Sequence, residues 1–335
     1  MGSQFVDLNA DGHVDYLSAT FDGSPHVSYG SESGFAEPTR LVDGKGEDVL
    51  VSYYYDFDVD EHRTTGRSMP DGKPANLRGI SAVAMDWDGD GDLDLIQGSY
   101  EEGHLYVQMN EGSRTEPRFT GKNVRVMAGG KPLEDKAKMT APRLVDWDRD
   151  GDLDLVYGTF GGFGEADGTA GVYLLVNEGR PGAPSFAAPR ALLQTRGTEL
   201  PTEPTGPVEG LYPEVIDWDG DGDLDLIVGG YSHWGPKKPT LTKAQEAELE
   251  GLRERLDAAQ EAYAELRDVY MAALEAEMAK ATTDEEEDAA MERVYAEYEE
   301  RMSARREAMT SVRALIDELV PPKKRTPAVW FFERS

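Results

Sequence analysis

The chain has 335 residues, of which 39% are hydrophobic, so it can bury the core of one large domain or two ordinary ones. Its 65 acidic and 34 basic side chains give a formal net charge of −31, which repels nucleic-acid phosphates and anionic lipid headgroups. The absence of cysteine excludes disulfides, thiolate metal sites and cysteine nucleophiles, and no apolar run approaches the roughly 20 residues that span a bilayer. We therefore expect neither nucleic-acid binding nor membrane insertion.

A nine-residue motif occurs four times without gaps. It has aspartate or asparagine at positions 1, 3 and 5, glycine at position 6 and aspartate at position 9. The copies begin 79, 60 and 71 residues apart and occupy 7–15, 86–94, 146–154 and 217–225. A short apolar stretch precedes each copy, and a stretch typical of a strand follows it, at 16–17, 95–96, 155–156 and 226–227. The chain is therefore built from repeats, which determine its architecture.

Each repeat continues with further strands. A third strand is predicted at 105–112, 172–179 and 329–335, and more weakly at 26–29, and a fourth at 49–55, 124–127 and 191–194. Four short antiparallel strands in a unit of roughly 60 residues are typical of one blade of a β-propeller. The sequence thus predicts a mainly β fold, a propeller of about four or more four-stranded blades. This propeller would occupy residues 1–240, with its final strand within 321–335.

Residues 241–320 differ in composition, with Gly251 as their only glycine and no proline. Apolar residues recur there at alternating spacings of three and four, in one series over 249–273 and another over 291–319. Thr283 and Glu286 form a capping-box pattern before the second series, and Pro321 follows it. We expect a long antiparallel helical hairpin, a coiled coil inserted between the second and third strands of the last blade. Its narrow apolar stripe favours pairing of its own two helices, and oligomerisation through this arm is the alternative.

The four motifs and their flanking strands resemble the FG-GAP (also called VCBS) repeat β-propellers, the type found in integrin α-subunits. The resemblance covers roughly 1–235 and 326–335. The four visible repeats are fewer than such propellers usually have, and the last repeat lacks a predicted fourth strand. The resemblance implies binding more often than catalysis, although a fold alone does not determine function.

The aspartates of each motif predict a cation site. Alternate residues of a tight turn point inward, so positions 1, 3 and 5 converge, while glycine at position 6 supplies a positive φ. Position 7 would add its backbone carbonyl, and position 9 would close an all-oxygen cage. Such a cage suits Ca²⁺ better than Mg²⁺, because Mg²⁺ requires strict octahedral geometry. The predicted metal positions are Asp7, Asn9, Asp11, His13, Asp15, Asp86, Asp88, Asp90, Asp92, Asp94, Asp146, Asp148, Asp150, Asp152, Asp154, Asp217, Asp219, Asp221, Asp223 and Asp225. An EF-hand is excluded, because position 12 holds Ser18, Gln97, Tyr157 and Val228 instead of glutamate.

We expect three to four Ca²⁺ ions, with weaker binding in the first loop, where Asn9 replaces an aspartate. The alternative is that the motifs are solvated turns, but the clustered carboxylates would then repel one another in each of the four motifs. Bound calcium would stabilise the turns in place of disulfides, which favours a secreted, periplasmic or cell-surface location. The chain opens Met-Gly-Ser-Gln-Phe, with no signal-peptide pattern.

In a propeller blade, the turn between the second and third strands lies opposite the turn between the first and second. Aromatic and histidine side chains in these opposite turns could ring a pocket and stack on a sugar. These candidates are His26, Tyr100, His104, Phe160, Tyr231, His233 and Trp234. The alternative is that they pack between blades.

We predict an extracellular scaffold that binds a protein or glycan through the face opposite the calcium loops. A carbohydrate-active enzyme, a lyase or hydrolase using that face, is the alternative. No catalytic residue is identified, because the sequence lacks a nucleophile elbow, a phosphate loop and histidines at metal-ligand spacing. Acidic pairs are too numerous for a glycosidase dyad to be recognised or excluded.

Overall fold

A computed structural model describes residues 2–19, 24–49, 53–56, 61–64, 79–99, 103–161, 169–180, 182–194, 201–237, 239–281 and 283–334. The chain divides into two compact units. The sheet unit comprises Met1–Glu199, Pro204–His233 and Arg325–Ser335. The helical unit comprises Leu200–Glu203 and Trp234–Lys324.

Four antiparallel sheets contain most of the described strands, and the strands of each sheet pair in chain order. The first sheet contains β1 (Ser3–Val6), β2 (Asp15–Ala19), β3 (Pro25–Ser28) and β4 (Thr39–Arg40), and β5 (Tyr53–Asp56) pairs with β6 (Glu61–Thr64) after it. The second contains β7 (Gly79–Met85), β8 (Asp94–Ser99), β9 (Leu105–Gln108) and β10 (Val124–Arg125), and β11 (Met127–Ala128) pairs with β12 (Lys131–Pro132) after it. The third contains β13 (Ala141–Val145), β14 (Asp154–Gly158), β15 (Gly171–Leu175) and β16 (Arg190–Gln194). The fourth has three strands, β17 (Glu209–Ile216), β18 (Asp225–Trp234) and β19 (Lys324–Phe332).

The predicted mainly β fold with a helical hairpin is confirmed. The two helices lie between β18 and β19 along the chain, which is the predicted point of insertion. The strands that flank all four aspartate motifs also lie where the sequence predicts them. The sheets are separate, and the described residues do not form a closed ring of them.

The fourth strand of the first repeat is not at the predicted residues 49–55. Instead β4 pairs with β3, and β5 pairs with β6. A tight turn at 31–34 is the cause: the amide of Gly34, whose φ is 115°, donates to the carbonyl of Ser31 at 3.1 Å. The turn returns the chain to the sheet early, so that prediction was wrong. The fourth strands predicted at 124–127 and 191–194 correspond to β10 and β16.

Consecutive sheets contact each other through their first strands. The side-chain amide of Gln4 pairs with the backbone of Ala84, whose N–H donates to Oε1 at 2.6 Å. Ser81 Oγ donates to the carbonyl of Thr140 at 2.8 Å, which joins the second sheet to the chain entering the third. Glycine in the second strands permits this close approach, because a Cβ atom at Gly98 would lie 1.8 Å from the oxygen of Thr140.

Two phenylalanines connect the turn between the third and fourth strands to the preceding sheet. Phe119 lies nine residues after Asn110, is 2% exposed and packs in the core shared by the first two sheets. Phe186 lies nine residues after Asn177 and is 5% exposed. Its ring centroid is 5.7 Å from that of Trp87 in the second sheet's aspartate loop. Each phenylalanine therefore fills the space between its own sheet and the one before it.

The helical unit contains α1 (Lys243–Met278) and α2 (Asp284–Leu319), each of 36 residues. At a rise of about 1.5 Å per residue each helix is about 54 Å long. Thr242 caps α1 in a capping box with Gln245, and the Thr283 side chain accepts the amide of Glu286 at the start of α2. Leu266, Val294 and Tyr298 pack between the helices. No helix among the described residues is long and apolar enough to cross a bilayer.

Candidate metal centres

Each motif forms the loop between the first and second strands of its sheet. Strand pairing stops at motif position 9, where Asp15, Asp94, Asp154 and Asp225 stand opposite Val6, Met85, Val145 and Ile216. The loop lies within the eight preceding residues, so the sheet itself holds both of its ends.

The aspartate at position 1 holds the turn through the amide of the glycine at position 6. This bond measures 3.1–3.2 Å in all four loops, in the pairs Asp7–Gly12, Asp86–Gly91, Asp146–Gly151 and Asp217–Gly222. The four glycines have φ values of 89–98°, as predicted for a sharp bend.

Position 4 also has a positive φ, which the sequence analysis missed. The angle is 53° at Ala10, 79° at Gly89, 64° at Arg149 and 76° at Gly220. Residues with a Cβ atom pay a cost for this conformation. The first and third loops therefore carry backbone strain that glycine avoids in the other two.

Carboxylates converge in three of the four loops, each contributing an oxygen within 4.8 Å of the others in its group. In the second and fourth loops the group occupies positions 1, 3 and 5, as Asp86, Asp88 and Asp90 and as Asp217, Asp219 and Asp221. In the third loop it is formed by Asp146, Asp148 and Asp154, at positions 1, 3 and 9. Among the described residues, the first loop forms no such group of acidic or histidine side chains.

The side chain at position 7 adds a feature that the sequence analysis did not foresee, since only a backbone carbonyl was expected there. The Oδ1 atoms of Asp92, Asp152 and Asp223 are buried and have no hydrogen-bond partner. Asp146 Oδ1, at position 1 of the third loop, is also buried without a hydrogen-bond partner. A buried carboxylate oxygen without a donor is costly, and a bound cation would offset that cost.

Position 9 joins the loop to the rest of the sheet. In every loop its Oδ2 accepts the amide of position 2, at 2.8–3.1 Å, and its Oδ1 accepts an amide at the end of the third strand, at 2.7–3.0 Å. These latter donors are Gly30, Asn110, Asn177 and Arg334. The carboxylate expected to close the cation shell therefore also connects three strand ends.

Burial, together with neighbouring negative charges, raises the pKa values of several aspartates in these loops. Burial, with the negative charges of Asp90, Asp94 and Asp88, raises the pKa of Asp92 to about 6. Burial also raises the pKa of Asp94 to about 6, although the amides of Asn110 and Trp87 oppose the shift. Burial and the negative charges of neighbouring aspartates also raise the pKa values of Asp152, Asp154 and Asp223.

The donor set suits a hard divalent cation. It consists of carboxylate oxygens, some of them buried and unpaired, and it contains no sulfur or imidazole nitrogen. Bringing a positive charge among these oxygens would relieve the repulsion that raises their pKa values. The aspartate clusters are therefore compatible with divalent cation binding.

The residues predicted for ligand binding lie in several places, and Tyr100 falls outside the described residues. His104 is 5% exposed, and its Nδ1 is 2.5 Å from the carbonyl oxygen of Leu133. His26 Nδ1 lies 3.2 Å from the carbonyl oxygen of Ser24. In the helical unit, Lys324 Nζ lies 4.5 Å from the ring centroid of Trp234.

Three of the predicted ligand residues are associated with the start of β17. Phe160 and Tyr231 both border Gly210, where a Cβ atom would meet their rings at 3.3–3.4 Å. His233 Nε2 is 2.5 Å from Oε2 of Glu209. Arg325 binds Glu209 at 2.8 Å and stacks on Tyr231, with its guanidinium carbon 3.4 Å from the ring centroid. Glu209 and Arg325 lie in no motif, so the sequence carried no signal for them.

Comparison with known proteins agrees with this geometry. A family model described as an FG-GAP-like repeat matches residues 86–157, which include the second and third aspartate loops. Over 258 aligned residues, or 69% of its length, the chain is 26% identical to integrin alpha-PS2 of Drosophila melanogaster. The chain spans 16% of the length of that relative. Residues 86–157 are therefore an FG-GAP-like repeat, which confirms the resemblance inferred from the aspartate motifs.

Proposed function

We propose that the chain is a calcium-stabilised extracellular scaffold whose sheets are blades of a β-propeller. The observation that carries this proposal recurs in three loops: three converging carboxylates, at positions 1, 3 and 5 or at positions 1, 3 and 9, together with a buried, unpaired oxygen at position 7. Contacts between consecutive first strands support the blade arrangement. The domain limits that we propose are 1–240 for the propeller, 241–320 for the coiled-coil hairpin and 321–335 for the last strand.

Calcium suits these loops because it takes 6–8 oxygen ligands in flexible geometry, whereas Mg²⁺ requires a near-ideal octahedron. Positions 1, 3 and 5 would supply carboxylates, position 7 a carbonyl or its free carboxylate oxygen, and position 9 a second lone pair. We propose three to four ions, with the first loop the weakest. The ions would be structural, and their retention would require the calcium-rich exterior of a cell.

Calorimetric titration of Ca²⁺ into chelator-treated chain tests this proposal. We expect three or four sites, and Asp88→Asn should remove one of them while Glu32→Gln, an exposed change outside the loops, should remove none. A ligand at 100 times its dissociation constant adds about 2.7 kcal/mol per site, so the melting temperature should rise by many degrees. Absence of both binding heat and a thermal shift would overturn the calcium assignment.

We further propose that a protein or glycan ligand binds near Phe160, Tyr231 and His233, on the face opposite the loops. The aromatic rings bordering Gly210 and the charged pair Glu209–Arg325 support this position, because they combine apolar contact with directional polar groups. Screening against immobilised extracellular proteins and glycans in Ca²⁺ should identify a ligand that Tyr231→Ala no longer binds. Phe5→Ala, which removes an exposed ring in the first sheet, is the control. Equal binding by Tyr231→Ala and the native chain would place the site elsewhere.

A further inference from the structure

The second aspartate loop lies against a turn of the third sheet. Gly182, in the turn at 177–186 between β15 and β16, has a φ of 76°, and a Cβ atom there would lie 2.3 Å from the carbonyl oxygen of Asp88. In the same turn, the ring centroid of Phe186 is 5.7 Å from that of Trp87. Trp87 and Asp88 are positions 2 and 3 of the second loop. The turn therefore packs directly on the backbone that positions a candidate cation ligand.

The same turn is fixed by the third aspartate loop. Asp154, at position 9 of that loop, is 0% exposed and accepts the amide of Asn177 at 2.7 Å. The side-chain oxygen of Asn177 accepts the amides of Gly179 and Ser185, at 3.1 and 2.9 Å, which closes the turn. Asp154 is also one of the three converging carboxylates of the third loop. One carboxylate thus belongs to a candidate cation site and also fixes the turn that packs on the second loop.

A related arrangement occurs one sheet earlier. Asp94 Oδ1 accepts the amide of Asn110, whose side-chain oxygen holds the following turn by accepting two further amides, at 2.9 and 2.7 Å. Phe119, at the end of that turn, shares a buried cluster with Leu8, which is position 2 of the first loop. Because these links occur in two consecutive pairs of sheets, they belong to the repeat rather than to one local contact.

We propose that cation binding to the second and third loops is cooperative, and that the turn at 177–186 transmits the coupling. This inference rests on the proposed calcium sites. With a cation in the third loop, Asp154 would lose its remaining freedom, and Asn177 and the turn would lose theirs with it. The second loop would then bind its own cation against a turn that is already ordered, at a smaller cost in conformational entropy. Gly182 is the positioning residue, because a larger side chain would separate the turn from Asp88.

Hydrogen exchange followed by mass spectrometry during a Ca²⁺ titration distinguishes the loops from one another. Peptides that cover 86–94 and 146–154 give a separate midpoint concentration of free Ca²⁺ for each loop. In Gly182→Ala we expect the midpoint of the second loop to rise at least about fivefold, since the added Cβ would collide with the Asp88 carbonyl. Gly130→Ala is the matched control. Gly130 has a φ of 77° and no atom within 4 Å of an added Cβ, so this variant introduces the strain without the collision.

A second set of variants leaves the turn itself intact. Asp148→Asn, which disables the third loop, should raise the midpoint of the second loop at least about fivefold. Asp88→Asn should raise the midpoint of the third loop by a similar factor, because the coupling between two binding sites is reciprocal. Asp219→Asn, the same change at position 3 of the fourth loop, is the control and should leave the midpoint of the second loop unchanged.

The outcomes separate this proposal from the calcium assignment. If Ca²⁺ protects both loops but Asp148→Asn and Asp88→Asn leave the other loop's midpoint unchanged, the sites are independent and the proposal is wrong, while the calcium assignment stands. Equal shifts in Gly182→Ala and Gly130→Ala would contradict the role of the Gly182 contact. If Ca²⁺ changes exchange in neither loop of the native chain, both the coupling and the calcium assignment are overturned.

Discussion

The backbone amide of Asn110 donates to Oδ1 of Asp94 at 2.7 Å, across sixteen residues of chain. Asp94 is 1% exposed, and its other oxygen accepts the amide of Trp87 at 2.9 Å. One carboxylate thus fastens the aspartate loop and the end of the third strand to the start of the second. The same arrangement occurs at Asp15, Asp154 and Asp225.

Asp94→Asn should therefore destabilise the chain even without cations. The amide NH₂ group cannot accept a hydrogen bond, so one backbone amide loses its partner, at a cost of about 1–3 kcal/mol. Urea denaturation in excess chelator measures this change. An unfolding free energy equal to that of the native chain would show that the bond contributes nothing.

Asp92→Asn should behave in the opposite way. Asp92 Oδ1 has no hydrogen-bond partner, and Asp90, Asp94 and Asp88 repel its charge. We expect unchanged or higher stability in chelator, together with an affinity for Ca²⁺ that is lower by about tenfold, or 1.4 kcal/mol. Paired denaturation and calorimetric experiments on both aspartate variants test this contrast. A loss of stability at Asp92 as large as that at Asp94 would contradict it.

Ala10→Gly should stabilise the first loop. Ala10 has a φ of 53°, a conformation that costs a residue with a Cβ atom about 1–2 kcal/mol, partly offset by the greater chain entropy of glycine. A gain of about 0.5 kcal/mol is expected by denaturation. The reciprocal control is Gly220→Ala, where φ is 76° and no atom lies within 4 Å of the added Cβ, so only strain is introduced. It should cost about 1 kcal/mol, and stabilisation by that change would refute the argument.

Asp135 should make stability depend on pH. Its carboxylate accepts the hydroxyl of Tyr157 at 3.2 Å and the amide of Ala137 at 2.8 Å, and burial raises its pKa. A carboxyl whose pKa is raised by folding contributes stability that is complete below its unfolded value, near 3.8, and is lost as pH rises through the folded value. Asp135→Asn removes this titration, so the stability of the variant relative to the native chain should increase as pH rises.

Denaturation at several pH values between about 4 and 7, at one fixed free Ca²⁺ concentration, measures this trend. Glu134→Gln, an exposed neighbour, is the control and should leave the pH profile unchanged. A profile of Asp135→Asn parallel to that of the native chain would exclude Asp135 as the source.

The features that the sequence predicted best are those determined by a local pattern of residues. The two helices and the four loops between first and second strands follow from periodicity and from one turn, and the structure has them at the expected residues. Positions 1, 3 and 5 converge as expected in the second and fourth loops, whereas the third loop brings together positions 1, 3 and 9. What the sequence could not predict depends on residues distant along the chain. The burial of the position 7 oxygens and the bonds from position 9 arise only when the third strand returns. Similarly, the fourth strand of the first repeat does not follow the apolar run at 49–55, because the short turn at Gly34 brings the chain back to the sheet earlier.

The pairing of Glu209 with Arg325 spans 116 residues, so no window of sequence could indicate it. Phe119 and Phe186, by contrast, stand nine residues after an asparagine in both complete turns. That spacing is visible in the sequence, but the structure is needed to show that each ring fills the space between its own sheet and the one before it.

The position 9 aspartate binds the sheet through both of its oxygens in every loop, including the third, where Asp154 also belongs to the converging carboxylates. Asp15 keeps its bonds to Leu8 and Gly30 in the first loop, although Asn9 has replaced one of the converging carboxylates. A repeat of this kind can therefore lose a candidate cation ligand by a single substitution and still retain its strands. If the loops bind calcium as proposed, evolution could adjust the calcium requirement of such a protein one repeat at a time, with no change in its architecture.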